Sequence, residues 1–380
     1  MREFITGNQA AVRGALRAGC DFFAGYPITP ASSILSDFIR AFANGEGVAI
    51  QTEDEIAAIG QCIGAAMTGA KALTASSGPG LSLYSENIGL AQMGEVPLVI
   101  VDCQRMGPAT GGATATGEGD VLFARHVTSG GYPHPVLAAT DAATAYRLTY
   151  EAFNIAERLR TPVIVLLSKD IALTRQTVDL DAIGLSPIVN RAPAADGVYR
   201  PYAVASPEDV PAFAPIGGER LTRFTGSIHD ENGVLTTNRT KIGATLTHLN
   251  AKIHAAEAWL EHTEEDLEPG APTLIVSYGL ADGAAREAVR VLRARGHRVS
   301  HVTLYTLWPI AERVLLRAAN AAVERVIVPE LNIGLYADEL RRVLRYPRIE
   351  SLTRYDGGLI SPQTIIETVE AGAHRESSLC

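Results

Sequence analysis

The chain has 380 residues, of which 47% are hydrophobic and 20% are charged. These proportions are typical of a folded globular protein and exclude a disordered chain, and this length usually corresponds to two domains. The 33 basic and 42 acidic residues give a net charge of −9, which argues against a nucleic-acid partner because its phosphates would be repelled. A small anionic substrate held by one or two arginines stays compatible with this charge.

The sequence carries no membrane or secretion signal. The longest apolar runs, residues 96–101 and 163–167, have the length of strands, whereas a membrane helix needs about 20 apolar residues. The N-terminus lacks the apolar core of a signal peptide. The four cysteines are far apart, which argues against a disulfide framework, a zinc site or an iron–sulfur cluster built by this chain alone. We therefore expect a cytoplasmic protein with no membrane contact and no metal site of its own.

The first half of the sequence alternates short apolar runs with alanine-rich helical stretches. Such alternation is typical of a mostly parallel sheet with helices on both faces. The predicted strands are residues 21–25, 48–51, 72–75, 98–102 and 163–167. The predicted helices are residues 7–16, 32–42, 55–67, 80–92 and 142–157.

The pattern changes after about residue 170. Residues 186–238 are rich in proline, glycine, asparagine and aspartate, which predicts an irregular connector. Apolar residues at three- and four-residue steps predict one long helix over residues 240–267. A second α/β unit follows, with strands 273–276, 299–304 and 325–329 and helices 281–295, 336–344 and 362–370. We therefore divide the chain into a first domain (1–185), a connector with the long helix (186–269) and a second domain (270–380).

Two segments that follow predicted strands carry candidate ligand-binding groups, since ligands of open parallel sheets bind at the carboxyl ends of strands. Residues 25–30 read Gly-Tyr-Pro-Ile-Thr-Pro, and the two prolines orient the Thr29 hydroxyl as a donor. A simpler interpretation makes Thr29 or Ser32 the cap of the next helix. Residues 53–55 read Glu-Asp-Glu at the start of a helix, where acids complement the helix dipole or one carboxylate faces a ligand.

Three further glycine-containing segments also follow strands. Residues 76–80 (Ser-Ser-Gly-Pro-Gly) form a tight turn or offer free N–H groups to a ligand. Arg105 begins a glycine-rich loop and either grips a carboxylate with both arms of its guanidinium or pairs with Asp120 or Glu118. Residues 329–334 (Pro-Glu-Leu-Asn-Ile-Gly) are typical of a turn.

In this order, the segments resemble the α subunit of the 2-oxoacid:ferredoxin oxidoreductases, thiamine-diphosphate enzymes that oxidise 2-oxoacids to acyl-CoA. The segments 26–30 (Tyr-Pro-Ile-Thr-Pro) and 53–58 (Glu-Asp-Glu-Ile-Ala-Ala) are highly specific at this spacing, and the resemblance covers essentially the whole chain. It implies two mostly parallel-sheet domains, a pyrimidine-binding domain for thiamine diphosphate and a transketolase C-terminal-like domain. The other similar segments are residues 6–10, 77–80, 104–105, 107–108, 224–226, 229–233 and 330–332.

The resemblance implies roles for particular residues. Glu55 corresponds to the family's glutamate at N1′ of the aminopyrimidine ring, where a carboxylate favours the imino tautomer that acts as an internal base. Thr29 corresponds to a threonine near the substrate carboxylate, and Arg105 is expected on the same side of the pocket. These three are the expected catalytic residues. The residues expected to contact the cofactor are Pro27, Ile28, Thr29, Glu55, Ser77 and Gly78.

The resemblance also implies that the cofactor site is shared with a partner. Thiamine enzymes hold the diphosphate through Mg²⁺ with a Gly-Asp-Gly motif, but here residues 355–358 lie too near the terminus and Gly119-Asp120 lacks the second glycine. We therefore expect a β subunit that supplies the diphosphate site, Mg²⁺ and a [4Fe-4S] cluster, with CoA as co-substrate and ferredoxin as acceptor. Because no γ domain precedes the pyrimidine-binding domain, we also expect a separate γ subunit or a family branch without one, with a ferredoxin-like δ subunit as a further candidate.

The substrate is less constrained than the family. Residues 22–24 (Phe-Phe-Ala) resemble the 2-oxoglutarate and branched-chain members more than the pyruvate members, so 2-oxoglutarate is the predicted substrate. Its second carboxylate needs a second cation, for which Arg125 or His126 is the candidate. Branched-chain, pyruvate or aryl 2-oxoacids stay open. A self-contained thiamine-diphosphate decarboxylase or transketolase-like homodimer and a non-catalytic scaffold paralogue are the alternatives outside this reaction.

Overall fold

The computed structural model describes residues 2–377, including the side chains of residues 2–371. The strands are β1 (Arg2–Thr6), β2 (Phe22–Gly25), β3 (Val48–Gln51), β4 (Ala72–Ser76), β5 (Leu98–Gln104), β6 (Val136–Ala138), β7 (Pro162–Ser168), β8 (Arg175–Asp179), β9 (Thr263–Asp266), β10 (Thr273–Ser277), β11 (Val299–Leu304), β12 (Thr306–Trp308), β13 (Arg325–Glu330) and β14 (Arg348–Thr353). The helices are α1 (Gly7–Arg17), α2 (Ser32–Ala41), α3 (Glu55–Met67), α4 (Gly78–Met93), α5 (Val121–Arg125), α6 (Ala142–Leu159), α7 (Lys169–Leu173), α8 (Arg239–His254), α9 (Glu257–Leu260), α10 (Ala281–Ala294), α11 (Glu312–Ala318), α12 (Leu335–Val343) and α13 (Pro362–Ser377). In residues 2–377, each helix is too short or too polar to cross a membrane.

A seven-stranded sheet organises the first half of the chain. Its strand order is β12-β6-β7-β5-β4-β2-β3, and the neighbours are parallel except at the edge pair β12–β6. β5 and β7 are buried along their whole length because they lie inside a sheet that is covered on both faces. The predicted α/β class with a mostly parallel sheet is confirmed.

A five-stranded sheet with the order β14-β13-β10-β11-β9 organises the second half. β9 precedes residue 270 in the sequence but lies in this sheet, whereas β12 follows that residue and is the edge strand of the seven-stranded sheet. One apolar cluster contains side chains from both sheets, including Ile100, Val276 and Leu307. The two halves of the chain therefore share a core.

The prediction of one long helix over residues 240–267 is wrong. α8 ends at His254, the short α9 follows, and the next segment is the strand β9. The spacing of apolar residues did not predict this strand, because the strand is stabilised by tertiary contacts that the local sequence does not show. β9 pairs with β11, and its Glu264 forms an ion pair with Arg286 of α10 at 2.6 Å. These contacts outweigh the local preference for helix.

The connector, residues 186–238, contains no helix or strand, as predicted. Arg191 attaches it to the first half of the chain. Its guanidinium donates to the carboxylate of Glu157 on α6 and to the carbonyl oxygens of Ala66 and Ala70 near the C-terminal end of α3. Both charged groups are buried, and such a pair is tolerated because these acceptors replace the lost water.

Candidate active site

Neighbouring strands of the first sheet end at one edge and bring distant parts of the sequence together. β2, β4 and β5 are parallel, so the segments that follow them lie side by side at their carboxyl ends. β2 leads into residues 26–31, β4 into Ser77 and the start of α4, and β5 into Arg105. α3 follows the edge strand β3 and begins at Glu55.

Glu55 is the one buried acid of the Glu-Asp-Glu segment. Asp54 caps α3, since its carboxylate accepts a hydrogen bond from Ala57 N at 2.7 Å, and Glu53 is exposed. Glu55 is 6% exposed and faces Gly80, where an added Cβ would lie 2.7 Å from its Oε1. The helix-dipole interpretation therefore accounts for Asp54, while the burial of Glu55 points to a ligand-facing role.

Two buried hydroxyls lie at the end of β4, and that of Ser76 is close to Glu55. Ser76 and Ser77 are at most 1% exposed, and neither Oγ has a hydrogen-bond partner within the described residues. Ser77 is the N-cap of α4, but its side chain does not cap the helix. A Cβ on Gly80 would lie 1.9 Å from Ser76 Oγ, so the absence of a side chain at this position allows Ser76 and Glu55 to occupy the corner between α3 and α4. Buried polar groups of this kind are usually satisfied, which makes both hydroxyls candidates for a bound polar ligand.

Thr29 and Arg105 meet at the same edge. Arg105 is 7% exposed, its Nη1 donates to the Thr29 carbonyl oxygen at 2.7 Å, and its Nε has no partner in the described part of the chain. The simpler interpretation of Thr29 or Ser32 as a helix cap is wrong, because α2 begins after Ala31 without a side-chain cap. The Thr29 hydroxyl and the Arg105 Nε are therefore available to a ligand.

The remaining predicted cofactor residues lie on the adjoining loops. Pro27 is exposed, and Ile28 is half-buried and packs against the apolar core. Gly78, the first residue of α4, faces Asp120, where an added Cβ would lie 2.8 Å from Oδ2. The structure therefore places these residues around the same strand ends as Glu55.

A pair of carboxyl groups below Gly78 was not selected from the sequence. Asp102 is fully buried at the end of β5, and Asp120 immediately precedes α5. Burial raises the pKa of Asp102 well above its usual value, and burial raises the pKa of Asp120 to about 6. Burial and the charge of Asp120 both disfavour ionisation of Asp102, so Asp102 stays protonated when Asp120 ionises. The signal was an aspartate inside the apolar run 98–103.

Arg105 does not form the ion pair with Asp120 or Glu118 that the simpler interpretation proposed. Its guanidinium donates to the Thr29 carbonyl oxygen, although its charge is near enough to lower the pKa of Asp120. Arg125, a candidate second cation, is already engaged elsewhere. It pairs with Glu339 of α12 and lies 4.4 Å from the centre of the Trp308 ring, at the junction of the two halves. A substrate carboxylate would have to displace Glu339 to use it.

The turn after β13 is both a turn and a contact between the two halves. Asn332 Oδ1 accepts hydrogen bonds from Gly334 N and Leu335 N, which fixes the turn. Its Nδ2 donates to the Glu118 carbonyl oxygen at 3.0 Å. The segment 330–332 therefore holds the second half of the chain against the loop that follows Arg105.

The fold and the site define an α/β protein with buried polar and charged side chains at the carboxyl ends of its parallel strands, and family models identify its class. Residues 13–243 match the thiamine-diphosphate-binding domain of pyruvate flavodoxin/ferredoxin oxidoreductases. Residues 271–365 match core domain II of pyruvate:ferredoxin oxidoreductase. The chain therefore belongs to the 2-oxoacid:ferredoxin oxidoreductase family of enzymes, which confirms the family predicted from the sequence.

Individual relatives agree with this assignment. The chain is 39% identical over 368 residues to the 2-oxoglutarate synthase subunit KorA of Archaeoglobus fulgidus, covering 97% of this chain and 98% of that subunit. It is 32% identical to the ketoisovalerate oxidoreductase subunit VorB of Methanothermobacter thermautotrophicus, covering 97% of each. A solved 2-oxoglutarate:ferredoxin oxidoreductase from Magnetococcus marinus, with 2-oxoglutarate, coenzyme A and succinyl-CoA bound, is similar with a TM-score of 0.92 and 30% identity. The similarity covers 97% of this chain and 65% of that longer chain.

Proposed function

We propose that this chain is the α subunit of a 2-oxoglutarate:ferredoxin oxidoreductase. The enzyme would convert 2-oxoglutarate and CoA to succinyl-CoA and CO2 and pass two electrons to ferredoxin. The observation that carries the proposal is the buried Glu55 carboxylate, which packs against Gly80 beside Ser76, whose hydroxyl has no hydrogen-bond partner in the described residues. A non-catalytic scaffold would have no need to bury an acid among unsatisfied donors.

The residues at this edge fit the aminopyrimidine half of thiamine diphosphate. Glu55 would accept a hydrogen bond from the ring nitrogen, and its burial strengthens that contact because little water competes for it. Ser77 and Gly78 would line the ring edge together with Pro27 and Ile28. When bound, thiamine diphosphate supplies the electron sink that allows a 2-oxoacid to lose CO2.

Arg105 and Thr29 would hold the substrate. The guanidinium is fixed through one nitrogen by the Thr29 carbonyl oxygen and keeps its Nε free for a carboxylate. A buried arginine orients a carboxylate strongly because its donors form a rigid fork. The Thr29 hydroxyl would donate to the same end of the substrate. These two residues would bind and orient the 2-oxoacid, while Glu55 acts on the cofactor.

The choice of 2-oxoglutarate is supported by the names of the relatives from Archaeoglobus and Magnetococcus. The ketoisovalerate relative supports a branched-chain substrate as the second candidate. Arg125 does not distinguish the two candidate substrates, because it already forms an ion pair with Glu339. The second carboxylate of 2-oxoglutarate would therefore be bound by His126 or by a cation of a partner subunit. A panel of 2-oxoacids distinguishes the two candidates.

We also propose the assembly in which the chain works. Relatives that are named as subunits support a hetero-oligomer. A β subunit would hold the diphosphate, Mg²⁺ and a [4Fe-4S] cluster, and separate γ and ferredoxin-like δ subunits would complete it. The cytoplasmic location and the division into residues 1–185, 186–269 and 270–380 stay predictions.

Substitution of Glu55 tests the proposed function. In the complex assembled with its β subunit, Glu55→Gln should reduce 2-oxoglutarate-dependent viologen reduction by about 100-fold or more, because the amide no longer supports the basic tautomer of the ring. Size-exclusion chromatography should show an intact complex. The matched control is Glu53→Gln on the same segment, which is exposed and should leave the rate unchanged. Undiminished activity of the Glu55 variant would remove this residue from its assigned role.

A further inference from the structure

The loop that carries Arg105 runs from the end of β5 to the start of α5, and its two limbs are tied together. Asp120 N donates to Gln104 Oε1 at 3.1 Å, which closes the base of the loop. Above the base, Met106 N donates to the Ala115 carbonyl oxygen at 3.1 Å. Whatever fixes the returning limb therefore also fixes the limb that begins with Arg105.

Glu118 attaches the returning limb to the second half of the chain through three hydrogen bonds. Its backbone N–H donates to the Leu331 carbonyl oxygen at 2.9 Å, and its carbonyl oxygen accepts from Asn332 Nδ2 at 3.0 Å. Its side-chain Oε1 accepts from Leu280 N at 2.9 Å. These partners belong to two separate turns, one after β13 and one before α10. Glu118 is 1% exposed, so water does not compete for these bonds.

The surface that receives Glu118 is shaped for its carboxyl group. Gly279 has a φ of +57°, and an added Cβ there would lie 2.3 Å from Glu118 Oε1, so a larger residue would exclude the carboxyl. Asn332 Nδ2 also donates to Tyr278 Oη at 2.8 Å, and that hydroxyl donates to Glu330 at 2.9 Å. The receiving turns are therefore held in place before Glu118 docks on them.

We propose that Glu118 is a positioning residue for Arg105, acting as a latch between the Arg105 loop and the second half of the chain. The latch holds the arginine in place for the 2-oxoacid carboxylate, so the inference rests on the proposed role of Arg105. A groove of about 380 Å³ lies between the loop and the second half, with Met106 and Pro108 on one wall and Leu331 and Ile333 on the other. The latch fixes the width of this groove as well.

The chemistry of the Glu118 carboxyl makes the latch sensitive to pH. The pKa of Glu118 is raised to about 8, first by burial and then by the charges of Asp170 and Glu330, whereas the hydrogen bond from Leu280 N lowers it. The ionisable groups that face Glu118 are Asp170 after β7, Glu330 at the end of β13 and Tyr278 after β10. A Glu118 carboxyl released into water would have its ordinary pKa of about 4.5, so above that pH docking requires the uptake of a proton. The latch therefore weakens as the pH rises from about 4.5 to about 8 and changes little above pH 8.

Two substitutions of Glu118 test the latch in the assembled complex. Glu118→Ala should raise the KM for 2-oxoglutarate by about tenfold at pH about 7, with a smaller change in kcat and in thiamine-diphosphate affinity, because only the position of Arg105 is disturbed. Glu118→Gln preserves a neutral group of the same shape, so its KM at that pH should be no higher than that of the unmodified enzyme. The unmodified enzyme should show a rise in KM between pH about 5 and about 8 that the Gln variant lacks.

Hydrogen–deuterium exchange of residues 106–117 gives a readout that does not need activity. Exchange should be faster in Glu118→Ala and unchanged in Glu118→Gln. The control is Arg147→Ala, which removes the guanidinium of α6 that lies 4.6 Å from the centre of the Tyr305 ring, another contact between the same two halves, and should change neither the exchange nor the KM. If the complex shows no 2-oxoacid-dependent activity, the proposed function fails, and the exchange rates alone decide the latch.

Three results would overturn the latch. The first is a Glu118→Ala variant with the KM and the exchange rates of the unmodified enzyme. The second is a Glu118→Gln variant with the same rise in KM between pH about 5 and about 8 as the unmodified enzyme. The third is an equal effect of Arg147→Ala, which would assign the change to the whole junction rather than to Glu118.

Discussion

Arg105 and Thr29 are 76 positions apart in the sequence and touch because β2 and β5 end at the same edge of the sheet. The arginine is buried, yet only one of its nitrogens is held by this contact, and its Nε stays without a partner in the described residues. A buried guanidinium with free donors is costly unless a ligand completes it. This cost is the physical reason for assigning Arg105 to an anionic substrate.

Substitution of Arg105 should therefore affect the substrate more than the cofactor. We expect Arg105→Ala to raise the KM for the 2-oxoacid by about 10- to 100-fold, the loss expected for a charged hydrogen bond, with a smaller effect on thiamine-diphosphate affinity. The KM of Arg105→Lys should lie between those of the unmodified enzyme and Arg105→Ala, because lysine keeps the charge but cannot form two parallel hydrogen bonds to a carboxylate. Steady-state kinetics of the complex measures this.

The control for this experiment is Arg40→Ala, since Arg40 is exposed and pairs only with its neighbour Asp37 on α2. Arg40→Ala should leave the KM for the 2-oxoacid and the thiamine-diphosphate affinity unchanged. A stronger effect of Arg105→Ala on thiamine-diphosphate affinity than on the KM would contradict the assignment.

The pattern of the sequence alone did not distinguish the acids of residues 53–55, and the family resemblance selected Glu55. The structure adds a physical distinction, since Asp54 caps α3 while Glu55 is buried. Asp102 was missed because its partner Asp120 lies 18 positions further on, and a pair that meets only through the fold leaves no local pattern.

The helices α1 to α4 and α6 and the strands of the parallel sheet from β2 to β5 and β7 were predicted almost to their ends, because each buries a regular apolar pattern. The prediction failed where tertiary contacts determine the structure. The strands β1, β6, β8, β12 and β14 were not predicted, and β9 was placed in a helix. These strands are very short or partly exposed, so they lack the apolar run that marks β5 and β7, and they form because neighbouring strands supply hydrogen bonds.

The close approach of α4 to α3 at Gly80 leads to a prediction about substitution of this glycine. Gly80→Ala adds a methyl group 2.7 Å from Glu55 Oε1 and 1.9 Å from Ser76 Oγ, so both side chains must move. We expect a reduction of at least about tenfold in thiamine-diphosphate affinity or activity, with circular dichroism showing an intact helix content.

The same substitution at Gly243 is the matched control, because this glycine is an exposed residue of α8 with nothing near its added Cβ. Gly243→Ala should leave activity unchanged and stabilise the fold by up to about 1 kcal/mol through helix propensity. Full activity of the Gly80 variant would show that the corner between α3 and α4 holds no ligand.

The two halves of the molecule are joined more closely than their separate sheets suggest. β12 leaves the second half to become the edge strand of the first sheet, and Trp308 at its end packs between Arg125 and Tyr336. The apolar core is continuous across this junction. A junction of this kind couples the stability of the halves.

We therefore expect the full chain to unfold in a single transition in denaturant. The fluorescence of buried Trp308 and the far-ultraviolet circular dichroism should give the same midpoint, since the tryptophan reports the junction and the dichroism reports the whole chain. The Trp308→Phe variant measures the fluorescence of Trp259 alone, which is subtracted from the signal of the unmodified chain. Two separated transitions would show that the halves unfold independently.

Glu55 is expected to contact the aminopyrimidine ring of thiamine diphosphate in a pocket completed by another subunit. The decisive measurement is a structure of the assembled complex with the coenzyme bound. It should show the Glu55 carboxylate within hydrogen-bond distance of the ring nitrogen, with Ser77 and Gly78 along the ring edge and the diphosphate held by the partner. A coenzyme bound away from Glu55, with this carboxylate facing protein or water, would rule out this role of Glu55.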